Sequence, residues 1–123
     1  MIYITGDTHR DFRCVRLFCE TVESTINDIL IILGDAGINY FGEPKDSILK
    51  QQLTELPITL FCIHGNHEMR PESIASYKET EWCGGTVYFE PEFLNLFFAK
   101  DGEIYEFAGK RCVVIGGAYS VDK

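Results

Sequence analysis

The scarcest feature of this 123-residue chain is positive charge: 11 Lys and Arg stand against 19 Asp and Glu, for a formal net charge of −8. No basic surface is left over for tracking a phosphate backbone, which disfavours a dedicated nucleic-acid-binding surface. A nuclease-type active site stays open, because bound divalent cations invert the local charge. Cys-x-x-Cys pairs are missing, and the five cysteines, Cys14, Cys19, Cys62, Cys83 and Cys112, are odd in number. That pattern argues against a disulfide framework or a thiolate zinc site, and each cysteine reads as a small buried hydrophobe. No apolar stretch is long enough to span a bilayer and no basic leader precedes the first strand, so no membrane partner and a cytoplasmic location are expected. Neither Gly-x-Gly-x-x-Gly nor a Gly-Lys-Ser/Thr loop occurs, which disfavours a nucleotide-binding doubly wound domain. Histidine is also sparse, with His9, His64 and His67 and none after them.

Against these absences, 46% hydrophobic and 13% aromatic residues are ample for a core. With no linker, repeat or low-complexity tract, residues 1–123 read as one domain. Ile2-Tyr3-Ile4, Ile29 to Leu33 and Ile58 to Ile63 are short apolar runs of the kind buried on both faces of a sheet. Between the first two, Phe12, Val15, Phe18, Cys19, Val22 and Ile26 recur at helical spacing. Between the second and third, Glu43-Pro44 predicts a helix start, with Ile48, Leu49, Leu53 and Leu56 on its buried face and Pro57 closing it. This alternation predicts a βαβαβ unit with right-handed crossovers and a parallel sheet. From Trp82 onward the spacing predicts strands over Thr86 to Phe89, Phe93 to Phe98, Ile104 to Phe107 and Arg111 to Ile115. Turns at Gly84-Gly85, Asp101-Gly102 and Ala108-Gly109-Lys110 suggest antiparallel hairpins. The expected class is therefore α/β, a parallel sheet followed by antiparallel strands.

All three helix-alternating strands end in glycine beside a metal-competent side chain: Gly6-Asp7-Thr8-His9, Gly34-Asp35 and Gly65-Asn66-His67. Functional groups collect at the carboxyl ends of parallel strands, so these loops are expected to converge, with glycine allowing sharp turns and close backbone approach. Asp7 and His9, two residues apart, leave an extended segment on the same side and can hold one ion. Asp35 can bridge two ions, and Asn66 offers a neutral carbonyl oxygen to the second. Two cations could then acidify a bridging water and clamp a phosphoryl group, with His67 protonating the leaving oxygen. Taken singly, each residue has a plainer explanation. Asp7 and Asp35 suit turns or helix caps, His9 a surface position, Asn66 a turn with positive φ, and Glu68 a solvated face. Only the joint pattern points to a site.

In this order and spacing, Gly6-Asp7-Thr8-His9, Leu33-Gly34-Asp35 and Gly65-Asn66-His67-Glu68 resemble the opening motifs of the calcineurin-like metallophosphoesterases. Gly102-Glu103-Ile104-Tyr105 through Val114-Ile115-Gly116-Gly117-Ala118-Tyr119-Ser120 is similar to the central hairpin region of bacterial members. The resemblance implies the N-terminal part of a four-layer α/β/β/α sandwich. It implies Asp7 and His9 as ligands of a first metal, Asp35 as the bridging carboxylate and Asn66 as a ligand of a second metal. His67 takes the place of the catalytic histidine, with Glu68 orienting it. It also implies two divalent ions, Mn²⁺ first, with Fe or Zn²⁺ as alternatives. The activity implied is hydrolysis of phosphomonoesters or phosphodiesters by a metal-bound water.

The family completes its site with later histidines, one alone and then Gly-His-x-His, and none follows His67 here. Glu103 and Asp122 read as solvated rather than as substitutes, and His64 reads as a substrate contact or a structural hydrogen-bonding residue. The Gly34-Asp35 loop continues Ala36-Gly37-Ile38-Asn39-Tyr40, without the further acid of many relatives. The chain is accordingly expected to be a truncated domain whose bared apolar face self-associates or pairs with a missing C-terminal segment. The competing functional reading is a catalytically incomplete remnant or interaction module that binds at most one metal weakly.

Overall fold

Strand formation follows the three apolar runs. The computed structural model describes residues 2–6, 12–33, 45–63 and 77–114. In it β1 (Ile2–Thr5), β2 (Ile29–Leu33) and β3 (Thr59–Ile63) pair in parallel, joined in sequence by α1 (Arg13–Val22) and α2 (Lys45–Thr54). The second half supplies β4 (Lys78–Trp82), β5 (Gly85–Phe89), β6 (Leu96–Ala99), β7 (Ile104–Phe107) and β8 (Lys110–Val113). Among the described residues, six strands form one sheet in the order β1-β2-β3-β6-β5-β4, and β7 and β8 form a separate two-stranded sheet. β6 lies parallel to β3 and antiparallel to β5, so the parallel half passes into the antiparallel half at that strand. This bears out the mixed α/β architecture expected from the sequence.

Alternation along the strands explains why the runs are apolar throughout. Leu30, Ile32, Leu60, Cys62, Leu96 and Phe98 point to one face and pack with Val15 and Cys19 of α1 and Leu49 and Leu53 of α2. Ile31, Phe61 and Ala99 point to the other, where Tyr105 and Phe107 of β7 cover them. A strand buried on both faces cannot alternate polar with apolar residues. Phe61 is the centre of the second cluster, with Trp82, Tyr105 and Phe107 ring centroids 5.0 to 5.5 Å away.

Several predicted boundaries shift for identifiable reasons. α1 stops at Val22 because Glu23 takes a left-handed conformation, φ 52°, and Ser24 N–H closes on the Cys19 carbonyl. Val22 and Ile26, expected on the buried face, are exposed. Ile48 is exposed as well, since the buried side of α2 runs through Leu49, Lys50 and Leu53. Glu43 and Pro44 lie outside the described residues. Phe93 belongs to a turn rather than a strand, its N–H bonded to the Glu90 carbonyl at 2.9 Å, and β6 begins only at Leu96. Pro91 inside that turn has no N–H to give a ladder. β4 has no counterpart among the predicted strands, because Lys-Glu-Thr-Glu-Trp has no apolar alternation; it is an edge strand whose first four residues are exposed. The Asp101-Gly102 turn makes no hairpin, but carries the chain from the large sheet to the small one.

The other two turns are tight hairpins. Trp82 pairs with Gly85 and Phe107 with Lys110, leaving Cys83-Gly84 and Ala108-Gly109 as two-residue loops with φ of 51° and 85°, and 52° and 80°. Positive φ at both loop positions matches the twist of the flanking strands. Gly85 is required for a different reason: a Cβ there would lie 2.7 Å from the Ile104 carbonyl oxygen and 2.7 Å from the Tyr105 ring. Side-chain atoms at that distance force the small sheet off the large one. Gly85→Ala is therefore expected to cost about 1–3 kcal/mol, the usual range for overpacking, read from urea or thermal unfolding; a loss below about 0.5 kcal/mol, the scale of a neutral surface change, would show that the small sheet has room to move.

Candidate functional site

Parallel pairing delivers the three carboxyl ends side by side. Thr5 lies opposite Ile32, and Leu33 opposite Ile63, so β1, β2 and β3 finish within a residue of one another. Neighbouring strands stand about 4.8 Å apart, which puts β1 and β3 about 10 Å apart across β2. Asp7 follows Thr5 by two residues, Asp35 follows Leu33 by two, and Asn66 follows Ile63 by three. At roughly 3.3–3.6 Å per extended residue, each donor is tethered closely enough to reach a common point above β2. The structure thus brings together the anchors of the predicted site. Asp7, His9, Asp35, His64, Asn66, His67, Glu68 and Asp122 themselves lie outside the described residues.

Gly6 does not have the positive φ found at Gly84, Gly102 and Gly109, and a Cβ on it meets no atom within 4 Å. Among the described residues, its place at the strand end therefore rests on neither a left-handed turn nor a close contact at Gly6 itself.

Beside this end of the sheet, β1 and the first turns of α1 enclose a cleft of about 370 Å³ lined by Tyr3, Thr5, Cys14, Val15, Phe18 and Leu30. Among the described residues the lining is apolar apart from two hydroxyls and a thiol, with no charged group. Tyr3 and Phe18 meet edge to face, 4.7 Å between ring centroids, and form its wall.

Glu103 corrects an expectation. It is half-buried rather than solvated, and its carboxylate accepts the Thr86 N–H at 2.8 Å, linking the start of the small sheet to β5. That hydrogen bond holds its carboxyl below the usual range. Glu103 is therefore committed to the fold. The cysteines divide too: Cys19 and Cys62 are buried, but Cys14 and Cys112 are exposed. Cys14 sits one position before the buried Val15, off the packed side of α1. Cys83 is half-buried, and burial raises its thiol pKa. Among the described residues, no group of three or more His, Cys, Asp or Glu side chains could hold a metal ion. None of their helices is long and apolar enough to cross a membrane.

A carboxylate whose folded pKa is lowered stabilises the fold above its unfolded pKa and loses that contribution as pH falls through the folded value. The stability advantage of the wild type over Glu103→Gln is expected at neutral pH and should disappear on acidification through that range. Unfolding curves of the two proteins that stay parallel at every pH would remove the assigned role.

A family model described as calcineurin-like phosphoesterase matches residues 1–122. Searches of curated proteins and of solved structures gave no match.

Proposed function

The chain belongs to the calcineurin-like phosphoesterase family, a family of metal-dependent phosphoesterases, and from that premise we propose that Asp7, His9, Asp35 and Asn66 hold two divalent ions. The single observation that supports this most is the side-by-side ending of β1, β2 and β3, each leading within three residues to one of these donors. Two carboxylates, an imidazole and an amide oxygen are donors that suit Mn²⁺, Fe or Zn²⁺. Mn²⁺ is the proposed pair, and the cytoplasm the proposed location. When bound, such ions supply an acidified water and neutralise charge on the phosphoryl oxygens.

The remaining steps belong to side chains. Asp7 and His9 would hold one ion and Asn66 the other, and Asp35 would be shared between them. His67 gives a proton to the leaving alcohol oxygen, and Glu68 orients its ring. The substrate class is a phosphomonoester or phosphodiester.

Titration of metal-free protein with Mn²⁺ is expected to show two ions, and Mn²⁺ to support hydrolysis of an aryl phosphate. Asp35→Asn should cut metal affinity by more than about 100-fold, the upper end seen for outer-shell partners, and activity with it. His67→Ala should lower kcat by roughly 10²–10⁴, the range for a lost general acid, with both ions still bound. One weakly held ion and no turnover would instead mark this chain as catalytically incomplete, and near-normal kcat in either variant would reverse the assigned roles.

A further inference from the structure

Lys50 is the one buried charged side chain among the described residues, set between Leu49 and Leu53 on the sheet side of α2. Its ammonium donates to the Glu90 carboxylate and lies 4.9 Å from the centre of the Tyr77 ring and 6.0 Å from that of Phe93. Glu90 is itself held. Its carbonyl accepts the Phe93 N–H at 2.9 Å, and the Phe93 carbonyl accepts the Leu96 N–H at 3.2 Å, so the turn that carries it is tied to the start of β6. The pair therefore joins the sheet, through this turn, to the middle of α2.

Two apolar side chains of similar volume would serve stability about as well, because desolvation offsets most of the attraction in a buried pair. What the charges add is one geometry. The dispersion contacts of Leu49 and Leu53 change gradually if α2 slips along its axis, whereas a slip of about 1 Å already spoils a charge-assisted hydrogen bond. Asn95 also meets the last turn of α2, but at 3.4 Å from the Leu53 and Leu56 carbonyls, so the charged pair is the tighter tie.

Two of the elements that meet at Lys50 lead back from the proposed site. Leu33 and Lys45 bracket the residues that include Asp35, and Ile63 and Tyr77 bracket those that include Asn66, His67 and Glu68. The near ends of both segments are fixed by the pairing of β2 with β3. Their far ends, α2 and Tyr77, meet at the Lys50 ammonium, with Tyr77 also packed edge to face on Phe98.

We propose that Lys50 is a positioning residue for the metal centre, acting through Glu90 and Tyr77 on the segments of Asp35 and Asn66; this rests on the two-ion reading given above. It touches neither ion nor substrate. By fixing where both segments end, it leaves less to be ordered when the ions bind, so part of that cost is met on folding.

The test is Lys50→Met/Glu90→Met in the full chain, which replaces both charges by unbranched apolar side chains. Its metal-free unfolding midpoint is expected at or above that of the wild type. Its Mn²⁺ affinity should nonetheless fall by about 10- to 100-fold, and kcat with it, KM changing less. Leu53→Ala serves as the opposite control: the cavity lowers the midpoint, while Mn²⁺ affinity and kcat of the folded protein stay as in the wild type. A double variant with wild-type Mn²⁺ affinity and kcat overturns the proposal, as does one that fails to fold, which would make the pair a stability element. Equal loss of Mn²⁺ affinity in Leu53→Ala also overturns it, since any loosening of α2 would then suffice. A wild type that binds no pair of Mn²⁺ ions is a separate result: it removes the two-ion reading itself, and this proposal with it.

Discussion

The Tyr105 hydroxyl, donating to the Thr86 carbonyl from a fully buried ring, is the joint on which the two-sided core depends. The same oxygen accepts the Lys100 N–H at 3.0 Å, so both polar demands of the buried phenol are met. Without them the ring would carry an unsatisfied hydroxyl, at about 1–3 kcal/mol. Burial raises its pKa, which keeps it a donor at physiological pH. Gly85 removes the one side chain that would hold the small sheet away. Seated there, β7 covers Phe61 and Val87 and turns β3 into a strand with no solvent face. The strand that leads to Asn66 and His67 is therefore held on both faces.

Polar ties gather at the other end of the parallel strands. Thr59 Oγ1 donates to the Ile26 carbonyl and Ser24 Oγ to that of Pro57, each at 2.6 Å, while Thr59 N–H bonds the Asp28 carbonyl at 2.9 Å. Asn95 gives its amide to the Ile58 carbonyl at 3.0 Å and, more distantly, to those of Leu53 and Leu56, satisfying the end of α2. These side chains serve the amino ends of the strands, where the loops have backbone to satisfy and no chemistry to perform. At the carboxyl ends the sequence instead provides Asp7, Asp35, Asn66 and His67, the residues proposed above to hold ions and move a proton. With the proposed site at the carboxyl ends, stability and function are divided along the strand axis, as in other open parallel sheets.

How much of this could be read beforehand follows from which physics acts locally. β2 and β7 were legible to the residue, the first because two-sided burial leaves an unbroken apolar run, the second because Ile-Tyr-Glu-Phe sits between turn signals. α1 is shorter than its spacing predicts, because Val22 and Ile26 continue the helical period and only the left-handed Glu23 breaks it, which no residue type there announces. β4 was invisible because an edge strand needs only backbone pairing with β5, not an apolar face. The change of sheet at Asp101-Gly102 was also hidden, since a tight turn looks alike whether the next strand pairs with the last or leaves it. The strand ends of the candidate site were legible because three separate loops repeat one chemistry, whereas Glu103 was misjudged: its partner, the Thr86 N–H, is 17 residues away in sequence.

Lys50 shows a different limit on what pattern can say. It occupies the buried side of α2 at 2% exposure, paired with Glu90, which is 12% exposed, and its ammonium lies 4.9 Å from the centre of the Tyr77 ring. A helix stripe read from hydrophobicity runs through Ile48, Leu49, Leu53 and Leu56 and passes over Lys50, whereas Ile48 is exposed. The ion pair gives little net stability over an apolar residue, because desolvation offsets most of the attraction, yet removing one partner leaves a buried charge at about 3–5 kcal/mol. Its effect is therefore one of register. Sliding α2 by a turn, about 5.4 Å, would strand the charge, whereas Leu49 and Leu53 alone would tolerate the shift. The pair fixes α2 against the β5–β6 connection, and with it Tyr77, which packs edge to face on Phe98 with centroids 5.5 Å apart. α2 follows the loop of Asp35 and Tyr77 follows that of Asn66 and His67, so one buried ion pair sets the far ends of two of the three site loops.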